Sequence, residues 1–330
     1  MKKNVFLRLC QLLCLFFFFW LLTHSDLVLS FARKGIRSWA FSVLPVLLPF
    51  IILSKFWIYC GIPEMFFSAA KRTFPGHHRL TLSASILFLG LVSGFPVGAV
   101  FVAHYYQQNL LSKKTAELLL PLCSFISPMF LLGYVRPQTG YTGSSWYSFV
   151  FSLYLPVVFF FYKACRSGEI TTPEAVPHAM PSVSRPVSRK KVPAEQSSIR
   201  KIWLSSLEII FTIGIYMMLF SILFGLALHE PLLQSPLTEI LLANLEITTG
   251  VQWLAHSASL KGFFRGMVLS ATVSFGGLCT AAQVYSITLD QPDNQPPLSL
   301  GKYLQKKGQC ALASALLFAL FTFIRYRIHG

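Results

Sequence analysis

Residues 311–323 read ALASALLFALFTF and residues 15–22 read LFFFFWLL, and both stretches are apolar almost throughout. Runs of this kind, extended to the roughly 20 residues that a helix needs to cross a hydrocarbon core about 30 Å thick, predict membrane-spanning helices. The strands of a membrane barrel would instead alternate apolar with polar residues. The two stretches therefore predict a helical membrane protein.

The composition of the whole chain agrees with this class. Of its 330 residues, 54% are hydrophobic and 12% are charged, and the mean hydropathy is +0.58. A soluble surface needs more charge than this, so most apolar side chains must face lipid or other helices. We predict an all-α, polytopic membrane helix bundle with interrupted and re-entrant helices.

The positive charge of the chain points to a membrane rather than to nucleic acid. The net charge is +16, but most Lys and Arg residues lie between the apolar runs, as cytoplasmic loops of membrane proteins do. The cysteines contain no CxxC pair, which favours buried thiols over a metal site or a disulfide framework. They are Cys10, Cys14, Cys60, Cys123, Cys165, Cys279 and Cys310.

Nine apolar segments follow one another along the chain. Seven are predicted to span the membrane, and they lie at 5–24, 38–60, 81–105, 146–163, 203–228, 263–288 and 308–324. The segments 115–135 and 237–256 are interrupted, so each either crosses fully or enters and returns. We read the first segment as an uncleaved helix, because no small-residue cleavage site follows it.

A basic linker divides the chain into two halves. Between 166 and 201, Pro, Ser, Arg and Lys replace Leu and Phe, and no helical period survives. The halves 1–165 and 202–330 have the outline of a transporter made of two weakly related units. The positive-inside rule places the N-terminus and the linker in the cytoplasm. An even number of crossings must then separate them, which favours a re-entrant segment at 115–135.

The clearest interruption of a spanning segment reads Ser93-Gly94-Phe95-Pro96-Val97-Gly98-Ala99. Pro96 lacks the N–H of a helical hydrogen bond, and the glycines allow the backbone to unwind or a ligand to approach closely. Unwound helices of this kind bind solutes and ions in transporters. The spacing of Gly90, Gly94 and Gly98 equally suits a ridge for helix packing, so both interpretations stay open.

The second half carries matching signals. A small-residue series, Gly262, Gly266, Ser270 and Ser274, leads into Gly276-Gly277. Glu246, in Leu245-Glu246-Ile247-Thr248-Thr249-Gly250, is the strongest single candidate, because a carboxylate inside an apolar segment pairs, titrates or faces a cavity. An interhelical hydrogen bond or a shallow interfacial position is the alternative. The amide of Gln283 could bind a ligand or bond across helices.

Four motifs together resemble the YlbJ-type sporulation integral membrane proteins, of the nucleoside-recognition or Gate-domain group. They are SGFPVGA, SKKTAELLLPLCSFISPMF, LEITTG and SFGGLCTAAQV, spread over residues 38–324 without the linker. Such proteins are similar to concentrative nucleoside transporters, and sporulating members are linked to movement of dipicolinate. By position, the resemblance implies a binding site at Ser93, Gly94, Pro96, Gly98, Ser127, Pro128, Glu246, Gly250, Gly276, Gly277 and Gln283.

The function expected is secondary transport of a small anionic or heteroaromatic solute across a cell membrane. Coupling to a proton or a sodium ion and assembly into a homo-oligomer are left open, and no cofactor is expected. The alternative is a membrane scaffold whose basic linker recruits a partner or anionic lipid. No nucleotide-binding glycine loop, HExxH or GxSxG motif occurs, so no enzyme is expected.

Overall fold

The computed structural model describes residues 18–62, 78–170, 195–230, 235–289 and 296–329, together with Arg8, Gln11, Leu12, Leu15 and Met65. Within these ranges the regular structure is helical, and no strand occurs. Nine of the 20 residues of the predicted first span, 5–24, lie outside the described residues. Most of the predicted linker, 166–201, does so as well.

Before the linker the described chain forms α1 (Ser25–Ser38), α2 (Leu44–Tyr59), α3 (His78–Ser93), α4 (Val97–Gln107), α5 (Lys113–Cys123), α6 (Pro128–Phe130), α7 (Arg136–Thr139) and α8 (Gly143–Arg166). Two π-helical turns, Trp39–Val43 and Leu131–Val135, join α1 to α2 and α6 to α7. The predicted span at 38–60 is therefore the second part of one long helix.

After the linker the described chain forms α9 (Glu195–His229), α10 (Pro236–Ala243), α11 (Ile247–His256), α12 (Gly262–Phe275), α13 (Gly277–Leu289) and α14 (Leu300–His329). Local signals set several of these boundaries. Ser235 starts α10 with a capping box, in which its hydroxyl accepts from Thr238 N. Gly276 ends α12 in the left-handed conformation, with φ +85°.

Six segments among the described residues are long and apolar enough to cross a membrane. They are Ser25–Tyr59, Lys113–Thr139, Gly143–Arg166, Ile199–His229, Gly262–Leu289 and Leu300–Arg327. Large apolar side chains such as Phe159, Phe211 and Leu316 are more than half exposed on these helices, as expected where lipid is the solvent. The polytopic helical bundle predicted from the sequence is confirmed.

The segment predicted as a span at 81–105 is instead a helical hairpin, which we call hairpin 1. Its arms are α3 and α4, and its tip is 94–96. Gly90 and Gly98 both face the carbonyl oxygen of Cys123. Residues eight apart in one straight helix would be separated by about 12 Å, so they can share this neighbour only because the chain folds back.

The segment predicted as re-entrant, 115–135, lies instead within the candidate span Lys113–Thr139. This span is interrupted at 124–127, which we call break 1, between α5 and α6. The sequence therefore predicted one interrupted span and one re-entrant segment here but assigned them in the wrong order. The number of crossings that the two segments contribute together stays the same.

The segment left open at 237–256 forms a second hairpin, hairpin 2, with arms α10 and α11 and its tip at 244–246. Gly250 of α11 packs against the carbonyl oxygen of Ala243 at the end of α10. The two arms contain 8 and 10 residues, which are about 12 and 15 Å of helix. Neither arm alone reaches across a hydrocarbon core of about 30 Å.

Small residues bring the long helices together. A Cβ atom at Gly35 of α1 would lie 2.9 Å from Ser221 Oγ of α9. Gly266 of α12 likewise receives the ring of Phe318 from α14. The interpretation of this small-residue series as a packing ridge is confirmed at Gly266, because a side chain there would displace an aromatic ring. It is wrong at Gly262, where an added Cβ atom would meet nothing within 4 Å.

Candidate functional site

The tip of hairpin 1 is bonded to break 1. Phe95 N donates to Phe125 O over 2.9 Å. Gly94, with φ +75°, lies so close that a Cβ atom there would be 2.6 Å from Ser127 Cβ. The peptide bond between Phe95 and Pro96 is cis. The packing interpretation is therefore supported, because the glycines lie close to α5 and break 1, and the helix is interrupted as predicted; binding of a solute here stays a prediction.

Break 1 ends at Ser127, and Pro128 follows it; both are site residues predicted from the sequence. Ser127 Oγ accepts from Phe130 N over 3.2 Å and so caps α6. Pro128 takes the first position of that helix, where a missing N–H costs nothing. Ser127 and Pro128 thus restart the helix after the interruption, and Ser93 beside the hairpin tip approaches Ser54 Oγ at 3.5 Å.

The tip of hairpin 2 is bonded in the same manner to the interruption between α12 and α13, which we call break 2. Leu278 N donates to Asn244 O and Cys279 N donates to Leu245 O, each over 2.8 Å. A Cβ atom at Gly277 would lie 3.2 Å from Ile247 N. The two glycines therefore allow the hairpin tip to approach closely. Gly277 has a φ of +86°, which glycine adopts without strain.

Glu246 is the N-cap of α11, and its side chain is 1% exposed. Its carboxylate accepts from Thr248 N over 2.9 Å, from Thr249 N over 2.7 Å and from Thr248 Oγ1 over 2.6 Å. The positive end of the helix dipole adds to these bonds. Both carboxylate oxygens are thus used inside hairpin 2, so Glu246 holds the shape of the tip.

Thr248 connects hairpin 2 to two other parts of the bundle. Tyr134 OH, from the π-helical turn after break 1, donates to Thr248 O over 2.8 Å. Ser38 Oγ at the end of α1 donates to Thr248 Oγ1 over 3.1 Å. Thr249 Oγ1 lies 3.5 Å from Ser221 Oγ of α9. The hairpin tip is therefore fixed by polar contacts that separation of the helices would break.

Gln283 lies almost two turns beyond the start of α13. Its Nε2 donates to Cys279 Sγ over 3.2 Å within the same helix, and the side chain is buried. The contact supports a packing role for Gln283 rather than the solute contact that the sequence also allowed.

Gln283→Met is therefore expected to leave solute uptake within about twofold of the parent protein and to cost less than about 1 kcal/mol of stability. Methionine keeps the volume of the side chain and fills irregular space well. Uptake per folded molecule in vesicles and the thermal unfolding midpoint in detergent check this. A tenfold loss of uptake at normal stability would return Gln283 to the binding site.

Lys307 of α14, which is not among the site residues predicted from the sequence, lies where the two breaks meet. It is 1% exposed. Its Nζ donates to Ser124 O of break 1 over 3.2 Å and stands 4.7 Å from the centroid of the Phe125 ring. A Cβ atom at Gly276 of break 2 would be 3.6 Å from the same Nζ. One ammonium thus contacts both interruptions.

The spacing of the residues around Lys307 is a sequence signal that could have indicated its burial. Tyr303, Lys307, Cys310 and Ser314 are all buried on α14, three or four residues apart, which is one face of a helix. The span predicted from the sequence begins at 308 and so does not include Lys307. Among the described residues, no group of three or more His, Cys, Asp or Glu side chains could hold a metal ion.

Part of the chain is similar in sequence to a known membrane protein. The chain is 31% identical over 121 residues to the "Sporulation integral membrane protein YlbJ" of Bacillus subtilis (strain 168). The match covers 34% of this chain and 28% of the relative. No family model matches, and no solved structure matches. The chain is an integral membrane protein related over about a third of its length to a sporulation membrane protein.

Proposed function

We propose that this protein is a secondary carrier whose solute binds between the hairpin tips and the two helix breaks. The observation that carries the proposal is the paired arrangement: each hairpin tip donates or accepts backbone hydrogen bonds at the break next to it. Interrupted helices inside a membrane need protein, water or ligand partners for their freed backbone groups. In carriers such helices bind the solute near the middle of the membrane.

The order of elements supports two related halves of opposite orientation. Each half contains a long helix, a hairpin, an interrupted span and a second long helix, in that order. With the linker in the cytoplasm, the three spans at 25–59, 113–139 and 143–166 and the predicted span 5–24 make four crossings. Hairpin 1 then enters from the cytoplasmic side and hairpin 2 from the opposite side, which is the symmetry of many carriers.

The solute proposed is small and anionic or heteroaromatic, of the dipicolinate or nucleoside type. Two observations support this class. One is the partial similarity to a sporulation membrane protein. The other is the buried cation Lys307 at the junction of the breaks, next to the aromatic ring of Phe125. A positive charge and a ring suit an anionic, planar solute.

Uptake of labelled dipicolinate, with uridine as the comparison, into vesicles containing the purified protein tests the proposal. We expect saturable uptake of one of the two, above that of protein-free vesicles. Proton and sodium gradients are applied separately. Folding is checked by a single symmetric peak in size-exclusion chromatography, and orientation is checked by protease access to the linker.

A membrane scaffold is the alternative function, and the basic linker is the feature that favours it. Between 166 and 201 the chain is rich in Lys and Arg, which attract anionic lipids or acidic partners. Absence of uptake of both solutes by folded and correctly oriented protein would move the assignment to this class.

A further inference from the structure

A buried lysine inside an apolar helix needs an explanation. Lys307 lies about 10 Å along α14 from its start at Leu300, and its side chain is 1% exposed. The ammonium has three N–H donors, and the described structure gives it one hydrogen-bond acceptor, Ser124 O. Its other close neighbours are the ring of Phe125 and the backbone at Gly276.

The acceptor of Lys307 is the end of an interrupted helix. Ser124 directly follows Cys123, the last residue of α5, and is the C-cap of that helix. Carbonyl groups at a helix C-terminus have lost their intrahelical partners and sit at the negative end of the dipole. Such half-helix carbonyls are the groups that coordinate the coupling cation in carriers with broken helices.

The same place contains a buried polar group without a partner in the described structure. Ser124 Oγ is completely buried and has no hydrogen-bond partner in the described structure. A carbonyl and a hydroxyl of one residue are hard oxygen donors, as an alkali cation requires. Break 1 thus offers oxygen ligands of the kind that bind a monovalent cation, and the positive charge beside them is the ammonium of Lys307.

We infer that Lys307 is a built-in cation, whose ammonium takes at Ser124 O the position that a dissolved sodium ion would otherwise occupy, so that transport needs no sodium. The inference rests on the proposed function, since it names the ion requirement of that site. The tethered charge never leaves the protein. It neutralises the end of α5 in every conformation and leaves the site positive towards an anionic solute.

The test compares the wild-type protein with Lys307→Ala and with Lys306→Ala as the matched control. Lys306 is the adjacent lysine of α14, and its Nζ lies over the ring of Phe160 at 4.7 Å, away from break 1. Thermal unfolding in detergent and solute uptake into vesicles are measured in sodium chloride and in choline chloride of the same concentration, about 100 mM. Lys307→Met, which keeps the side-chain length, separates loss of charge from loss of packing.

We expect the wild-type protein and Lys306→Ala to unfold within about 1 °C, and to transport equally, in the two salts. Lys307→Ala empties the site, so sodium should raise its unfolding midpoint by about 2 °C over choline. Its uptake should fall at least about tenfold in choline and recover in part in sodium. Lys307→Met should lose uptake without recovery, because its side chain still fills the space.

Selective stabilisation of the wild-type protein by sodium, or wild-type uptake that stops without sodium, would overturn the inference and leave the carrier function standing. A Lys307→Ala protein that does not respond to sodium would overturn it too. If no protein transports either solute, the proposed function fails, and the unfolding midpoints still decide whether Lys307 occupies a cation site.

Discussion

Gly98→Ala is expected to remove most of the folded protein from the membrane fraction. A Cβ atom at position 98 would collide with the carbonyl oxygen of Cys123, which is a backbone atom and cannot rotate away. Hairpin 1 would have to separate from α5, and its bond from Phe95 N to Phe125 O would be lost. Overpacking of this kind typically costs 1–3 kcal/mol, and a backbone collision places it at about 3 kcal/mol or more.

Gly133→Ala is the matched control for this substitution. Gly133 lies in the π-helical turn after break 1, and a Cβ atom there would meet no heavy atom within 4 Å. Its unfolding midpoint and membrane abundance should equal those of the parent protein. Fluorescence-detected size-exclusion chromatography measures both quantities for each variant. Equal midpoints for Gly98→Ala and Gly133→Ala would mean that hairpin 1 does not pack on α5 as described.

Glu246→Ala has the second largest effect expected. It removes the acceptor of two buried backbone N–H groups and one hydroxyl, those of Thr248 and Thr249, at the start of α11. Each unsatisfied buried donor costs about 1–3 kcal/mol, and loss of an N-cap about 1 kcal/mol. Part of this is offset because a buried negative charge disappears. We expect a net loss of about 3 kcal/mol, seen as a lower unfolding midpoint in detergent.

Glu246→Gln separates stability from transport, because glutamine keeps one acceptor oxygen. Its expected loss of stability is smaller than that of alanine, and its uptake per folded molecule should stay within about threefold of the parent. Glu230→Gln, just after α9, is the carboxylate control and should change neither quantity. Normal stability combined with abolished uptake in Glu246→Gln would show that the carboxylate binds the solute or an ion instead of holding the hairpin.

Three of the four interruptions could be predicted from the sequence, whereas 263–288 is predicted as a continuous span although it contains the diglycine at 276–277. Gly94 and Pro96, Ser127 with Pro128, Glu246 with Gly250, and the diglycine at 276–277 are local signals. They act through backbone conformation and missing donors, which depend on the residues themselves. The structure places all of them at a helix end or beside one except Gly250, which lies inside α11 and packs against Ala243 O.

Which interrupted segment folds back could not be predicted in the same way. The evidence that hairpin 1 folds back is the contact of its glycines with Cys123 and Ser127, which lie more than 20 residues away along the chain. A hydropathy profile contains no information on such contacts, and 81–105 is as apolar as a true span. The assignment of 115–135 failed for the same reason, because charge bias and parity count crossings without identifying them.

Lys307 was missed because its burial is a property of the assembled bundle. In the sequence it belongs to the polar run Gln305-Lys306-Lys307, which reads as a loop before an apolar helix. Only the approach of breaks 1 and 2 to α14 surrounds the ammonium. The role of Glu246 was likewise open until the geometry of α11 showed where its oxygens point.

The most direct test of the carrier mechanism is a reversible lock on hairpin 2. Leu245 O accepts from Cys279 N over 2.8 Å, so the backbones of the two residues are in direct contact, and Leu245→Cys is the variant chosen to form a disulfide with the native Cys279. Solute uptake is measured after oxidation and again after reduction, with loss of free thiol confirming the bond. We predict that oxidation reduces uptake at least about tenfold and that reduction restores it, because in the proposed carrier the tip of hairpin 2 leaves break 2 during transport. Full uptake by the disulfide-bonded protein would contradict this mechanism.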